Sequence, residues 1–287
     1  MGRTLQYLLA VVILSCGAAP VGAGNIRAEE PFVFAVSPMA SPVVTASTFA
    51  DFIDYLSEKM QRKVILKQRR KYQEINDMLK EGRAKVAFTC TGAYIAGRQE
   101  FGLQLLAVPV INGKTTYHSY IIVHKDSPIK TFEELKGKVF AFTDPLSLSG
   151  RLYVTSLLNE RGTVTSEYFR RTFYTAGHEK SIETVAKGLA DAASVDSLIY
   201  DDLRAKGDPN AMALKIIGIS PPFGIPPFVV SPKTTEQERR DFLHILLYMK
   251  KDPKGRVILN KLGIDDFKMP EHSAYKSAME IRNRVVE

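Results

Sequence analysis

The segment Thr143-Asp-Pro-Leu-Ser-Leu-Ser-Gly-Arg-Leu-Tyr153 crowds two serines, a glycine and an arginine between an apolar run, Val139-Phe-Ala-Phe142, and a stretch of helical character beginning at Ser149. A helix start carries backbone N–H groups without intrahelical acceptors and a partial positive charge, which suits an oxyanion. Ser147 and Ser149 add hydroxyl donors at the same place. Gly150 leaves room for close backbone approach. Together these groups could wrap a tetrahedral oxyanion without a formal cation. Plain N-capping by serine, with Asp144-Pro145 as a turn, is the competing reading of the same residues. A nucleophile elbow wants G-x-S-x-G, and the first glycine is missing here.

Other reactive constellations are thin. Ser149, His178 and Asp196 supply the residue types of a catalytic relay, but their order along the chain proves nothing and the serine lacks its elbow. His118 and His124 stand far from any carboxylate pattern, so no metal site is expected. Neither enzymatic activity nor a cofactor is expected. Cys90 follows the apolar run Val86-Ala-Phe-Thr and reads as a small buried residue rather than a nucleophile.

The elements that must position these residues alternate. Strand signals at 32–36, 63–67, 85–88 and 103–110 are separated by helical spacing at 48–60, 72–80 and 92–99, the βαβαβ pattern of a parallel sheet covered by helices. A second series follows: strands at 120–124, 139–142, 171–174, 192–195 and 214–219, with helices at 131–135, 149–160, 180–189 and 198–205. Pro221-Pro-Phe-Gly-Ile-Pro-Pro227 then breaks all periodicity, and a helical tail that includes 241–250 closes the chain. The two series join at 112–117 and the chain returns through the proline-rich stretch. The expectation is an α/β clam-shell: lobe 1 from residues 31–115 plus 221–287, lobe 2 from 116–220. The carboxyl ends of strands in both lobes then face one cleft.

The chain has 287 residues, 45% apolar and 24% charged, ordinary for a soluble globular protein. Its net charge is +8, densest at Lys67-Gln-Arg-Arg-Lys71. Such a patch can bind nucleic acid. No aromatic-rich binding motif accompanies it, so a solvated face or an anionic lipid contact is expected and a nucleic-acid partner is not. Arg3, the apolar stretch Leu5–Leu14 and Cys16-Gly-Ala-Ala have the layout of a secretory signal, too short for a spanning helix. Ile13-Leu-Ser-Cys16 is similar to a lipobox, with Cys16 as the lipidated residue, whereas Val21-Gly-Ala23 fits ordinary cleavage of a signal spanning residues 1–23. Either way export is expected, to the periplasm or as a membrane-anchored lipoprotein.

From Phe32 to Gly263 the chain resembles the phosphate/phosphite/phosphonate-binding proteins of bacterial ABC transporters, a branch of the type II periplasmic binding proteins. The stretches that carry the resemblance are Arg70-Lys-Tyr-Gln-Glu-Ile75, Phe88-Thr-Cys-Thr-Gly-Ala-Tyr94, Phe142-Thr-Asp-Pro-Leu-Ser-Leu-Ser-Gly-Arg151, Thr175-Ala-Gly-His-Glu179 and Ser220-Pro-Pro222. The D-P-x-S-x-S-G motif is the most specific. The resemblance implies a two-lobe binding protein, monomeric, that captures a phosphorus oxyanion by hinge closure and presents it to an inner-membrane ABC permease. A ligand-sensing partner of a membrane kinase is the alternative. It also implies that Ser147, Leu148 and Ser149 hold the anion's oxygens, Leu148 through its N–H alone where the family often has threonine. The binding histidine falls on His178 and the cleft tyrosines on Tyr72 and Tyr117. Thr91, Thr89 and Ser37 follow strands and face the same cleft if the register holds. Members that bind aminoalkylphosphonates surround the ammonium with acids. Here the return crossing is apolar and only Asp196 remains, with capping of the 198–205 helix as its other role. A small oxyanion (phosphate, phosphite or a small alkylphosphonate) is therefore expected.

Overall fold

The structure, a computed structural model, describes residues 30–285. The expected signal segment, Cys16 included, lies outside the described residues. The strands in chain order are β1 (Phe32–Val36), β2 (Val64–Gln68), β3 (Val86–Phe88), β4 (Gln104–Val110), β5 (Thr116–Tyr117), β6 (Ser119–His124), β7 (Val139–Phe142), β8 (Arg171–Tyr174), β9 (Ala192–Asp196), β10 (Leu214–Ile219), β11 (Phe223–Gly224), β12 (Phe228–Val230) and β13 (Asp266–Lys268). The helices are α1 (Pro42–Met60), α2 (Tyr72–Glu81), α3 (Thr91–Phe101), α4 (Tyr153–Glu160), α5 (Thr165–Tyr168), α6 (His178–Ala186), α7 (Ser197–Ala205), α8 (Pro209–Met212), α9 (Glu236–Tyr248), α10 (Pro253–Leu262) and α11 (Lys276–Arg284).

Two separate sheets organise two α/β lobes. The first has the order β13-β4-β12-β3-β1-β2, the second β10-β6-β9-β7-β8. In the first, β1 pairs in parallel with β2 and β3, while β12 and β13 run against their neighbours. In the second, β7 pairs in parallel with β8 and β9, and β6 runs against β9 and β10. Each sheet is packed on both faces, which is why strands such as Phe140-Ala-Phe142 are buried without alternation. One face of the first sheet builds an aromatic core in which Phe34 meets Phe49, Phe52, Phe228 and Phe242. In the second lobe Phe140, Phe142 and Phe169 pack with Val154 and Leu158 of α4.

Several boundaries differ from the sequence expectation, each for a local reason. The first helix starts at Pro42 rather than 48, because Ser41 accepts the Val44 N–H and proline suits a first helical turn. The helix expected at 131–135 is a 3₁₀ turn, Glu133–Leu135. The helix expected at 149–160 opens with a π-type turn, Leu148–Leu152, before α4 proper. The helix expected at 180–189 starts at His178 and ends at Ala186. The helix expected at 241–250 begins at Glu236, fixed by a capping box between Thr235 and Glu238. Strand β12 has no counterpart in the sequence reading. It brings the chain back from the proline-rich crossing into the first sheet, antiparallel between β3 and β4, and three residues are too short for a periodic signal.

The two crossings touch. Phe223 pairs with Tyr117 and Gly224 with Thr116 in a short antiparallel ribbon. The first crossing turns through left-handed backbone at Asn112 (φ 50°) and Gly113 (φ 72°). The carboxyl ends of β1, β3 and β7 lead into Ser37, Thr89 and Thr143, and β9 ends on Asp196, all of them buried.

Candidate functional site

From the first lobe, Ser37 and Thr89 emerge from adjacent parallel strands and bond to each other, Oγ to Oγ1, at 2.7 Å. Thr91 opens α3, and its hydroxyl donates to the carbonyl of Gly224 in the return crossing (2.8 Å). Tyr72 is the first residue of α2 and is wholly buried. Tyr117 lies in the ribbon, equally buried, its ring edge-on to Phe223. Cys90 is buried between these elements. Burial pushes its thiol up to about 11, opposed by the N–H groups of Leu148, Gly92 and Ala93. It therefore stays a neutral thiol.

From the second lobe, β7 ends at Phe142 and the motif begins. Ser147 caps the π turn: its Oγ accepts the Gly150 N–H at 3.0 Å, which leaves its own O–H proton to donate. Ser149 is fully buried and its Oγ has no partner. Its carbonyl is held by the Ser119 hydroxyl (2.7 Å). Gly150 does not make room for a ligand, as the sequence reading expected. A Cβ there would lie 2.5 Å from Thr143 Cβ and 2.7 Å from Ser147 Oγ, so the glycine lets the strand end and the cap pack together.

His178 is brought in by a strained turn. Ala176 adopts φ 64°, unusual for a non-glycine residue, and is held by its N–H bond to the Thr143 carbonyl (2.9 Å). The imidazole is completely buried. Its Nδ1 accepts the backbone N–H of Asp196 at 3.1 Å, with Thr143 Oγ1 also at 3.2 Å. An accepting Nδ1 places the ring proton on Nε2, and burial lowers the ring's pKa to about 3. The site thus presents a neutral histidine with an N–H donor at Nε2.

Four polar atoms of these residues are buried without a well-formed hydrogen bond: Tyr72 OH, Tyr117 OH, Ser149 Oγ and His178 Nε2, the Tyr117 hydroxyl having only the nearby Thr91 and Ser149 side chains for weak partners. Both tyrosine hydroxyls lie in the fields of Cys90 and Asp196, and Ser149 and Thr91 lie beside Tyr117. Each of these atoms can donate a hydrogen bond, and an unsatisfied buried polar group costs roughly 1–3 kcal/mol. Two helix starts also converge. A Cβ on Gly92, in the first turn of α3, would lie 2.1 Å from the Leu146 carbonyl oxygen and 2.8 Å from Leu148 N. Two positive helix ends at one point are favourable only toward negative charge. The arrangement can bind an anion through neutral donors.

Asp196 was left between ligand contact and cap by the sequence, and its carboxylate caps: Oδ1 accepts the Leu198 N–H at 2.8 Å at the start of α7. Burial raises its carboxyl to about 7. No relay of Ser149, His178 and Asp196 is assembled, because a relay needs Nδ1 to donate to the carboxylate and here Nδ1 accepts from the Asp196 amide. Sequence reasoning missed Asp144, read only as part of a turn. It is 4% exposed and accepts from Leu146 N–H (2.8 Å) and, across the gap between lobes, from Tyr72 N–H (3.2 Å). The D-P dipeptide alone could not reveal the second bond. The basic cluster at 67–71 sits at the entrance to α2, and Lys71 and Arg151 flank the Asp144 carboxylate.

Residues 34–275 match the family model of periplasmic substrate-binding proteins of phosphonate ABC transporters. The phosphonates-binding periplasmic protein of Escherichia coli is 29% identical over 161 residues, which is 55% of this chain and 47% of that protein, so the match spans about half of the relative's length. Among solved structures, a binding-protein component of an ABC phosphonate transporter from Pseudomonas aeruginosa superposes with a TM-score of 0.82 at 20% identity, covering 88% of this chain and 85% of the other. PhnD1 from Prochlorococcus marinus in complex with methylphosphonate gives 0.79 at 18% identity, covering 88% and 97%. The two-lobe fold is that of these proteins. Among the described residues no helix is long and apolar enough to cross a membrane.

Proposed function

This chain belongs to the periplasmic substrate-binding proteins of phosphonate ABC transporters, and from that membership we propose that it captures a small phosphorus oxyanion (phosphate, phosphite or an alkylphosphonate) and presents it to a membrane permease. Lobe 1 (31–115 with 221–287) and lobe 2 (116–220) close on the anion about the paired crossings. Ser147, Ser149, Tyr72, Tyr117 and His178 Nε2 donate to its oxygens, with Leu148 contributing backbone. No catalytic step is involved, and the protein acts as an exported monomer without nucleic acid.

The observation that carries this reading is the set of four buried donors without acceptors at the meeting of two helix starts. A cation would need anionic acceptors, and the carboxylates at hand are engaged: Asp144 by Leu146 and Tyr72, Asp196 by Leu198. The same engagement disfavours an aminoalkylphosphonate, whose ammonium would compete with the cap of α7. The test is thermal unfolding with phosphate, phosphite, methylphosphonate and aminoethylphosphonate in turn. One of the first three should stabilise by about 4 kcal/mol at a thousandfold excess over Kd. A midpoint unmoved by all four overturns the proposal.

A further inference from the structure

Two carboxylates from the second lobe each reach across to the start of a helix in the first. Asp144 Oδ2 accepts the N–H of Tyr72, the first residue of α2, at 3.2 Å. Glu179 Oε2 accepts the N–H of Ser41, the cap of α1, at 3.0 Å. A third bond, His178 N–H to the Met39 carbonyl at 3.1 Å, joins the same two lobes. Each N–H accepted by a carboxylate belongs to the orphan donors of a helix start, where negative charge is favoured. In an open form they would turn to water. Neither carboxylate is among the anion's expected contacts, so these bonds depend on closure and not on the ligand.

Asp144 does more than bridge. Its Oδ1 fixes the turn that carries Ser147 through Leu146 N–H, and its Oδ2 fixes the helix that carries Tyr72. One buried carboxylate thereby sets the distance between donors contributed by the two lobes. We infer that Asp144 and Glu179 are positioning residues that latch the closed form and set how long the anion is held rather than how fast it is captured. Ligand enters the open form, where the bonds are not made, so association changes only as far as the open fraction of the unliganded protein changes. Reopening must break them, so dissociation is slowed. The residence-time part rests on the proposed function; the latch itself does not.

Asp144→Asn is the sharp variant. The amide keeps one acceptor for the turn and offers an NH₂ where Tyr72 N–H needs an oxygen. Glu179→Ala removes the second bond from a half-buried position, while Glu179→Gln keeps an acceptor. Distances between spin labels on the two lobes, measured without added ligand, report the latch. Stopped-flow binding of methylphosphonate or inorganic phosphate reports its effect. Asp144→Asn should shift the distances toward separation and raise koff about tenfold or more, with kon within about threefold of the parent. Glu179→Ala should raise koff less, and Glu179→Gln less still. Unchanged distances and koff in Asp144→Asn and Glu179→Ala overturn the latch. If the parent binds no phosphorus oxyanion, the proposed function falls while the distances still decide the latch.

Discussion

The backbone N–H of Asp196 donates to Nδ1 of His178 at 3.1 Å, while the carboxylate of the same aspartate turns away to cap α7. The pair is buried with opposite titration. His178 falls from 6.5 to about 3 and Asp196 rises from 3.8 to about 7, both through burial. Between about pH 6.5 and 3 the unfolded chain holds the histidine proton that the fold refuses, so stability falls as pH falls. Between about 3.8 and 7 the fold holds the aspartate proton that the unfolded chain has lost, so stability falls as pH rises. Each slope is about 1.4 kcal/mol per pH unit, and over their shared window they cancel. Asp196→Asn keeps a good cap and removes the second slope. Relative to the parent, its urea midpoint should drop steadily from pH 6.5 to 4.5. Parallel curves for parent and variant contradict the protonation states assigned here.

Ser147 and Ser149 should separate binding from stability. Ser147 Oγ accepts the Gly150 N–H, so Ser147→Ala loses a cap, about 1 kcal/mol, together with the anion contact proposed for it. Ser149 Oγ has no partner, so Ser149→Ala costs little stability. In calorimetry each should weaken binding by roughly 1–3 kcal/mol, the value of a hydrogen bond to a charged acceptor. Full affinity in the double variant would mean the anion sits elsewhere.

The readable parts of the site are those with local signals. Ser147-Leu-Ser149 stands between a buried strand and a helix, and polar residues at a strand–helix turn are visible within a dozen positions. The alternation of elements likewise exposed both α/β lobes. Tyr72 and His178 needed the family resemblance, because an isolated tyrosine or histidine carries no chemistry on its own. Glu179 and Asp144 stayed hidden as bridges: their partners lie 138 and 72 positions away, and capping across a cleft leaves no spacing to read. Gly150 was misread for a related reason. Its neighbour is the Thr143 side chain, and a sequence cannot say whether a missing Cβ serves a ligand or the packing.

Tyr72→Phe and Tyr117→Phe should exchange function for stability. Each hydroxyl is buried without a partner, and burial, the largest cause, holds each phenol far above its usual range, so it stays protonated as a donor. Removing an unsatisfied hydroxyl should raise the unfolding free energy of the unliganded protein, by up to about 1–3 kcal/mol, and weaken anion binding. A phenylalanine variant that is less stable and binds as before would show the hydroxyl to be satisfied in solution and absent from the site.

Gly92→Ala tests closure without touching a donor. Gly92 is in the first turn of α3, where alanine is intrinsically better by about 1 kcal/mol. Its φ imposes no need for glycine; what excludes a methyl group is the other lobe, with the Leu146 carbonyl oxygen 2.1 Å from the Cβ position and Leu148 N at 2.8 Å. Both contacts are to backbone atoms, Leu146 O and Leu148 N, of the turn that carries Ser147 and Ser149, so the clash cannot be relieved by rotating a side chain. The variant should keep or gain unfolding stability while its lobes stand farther apart in solution scattering. Its affinity should fall more than tenfold, about 1.4 kcal/mol or more, because Tyr72 and Ser149 no longer reach the same anion. Parental affinity in Gly92→Ala would mean that the two helix starts do not meet around the ligand, and that binding is completed by one lobe alone.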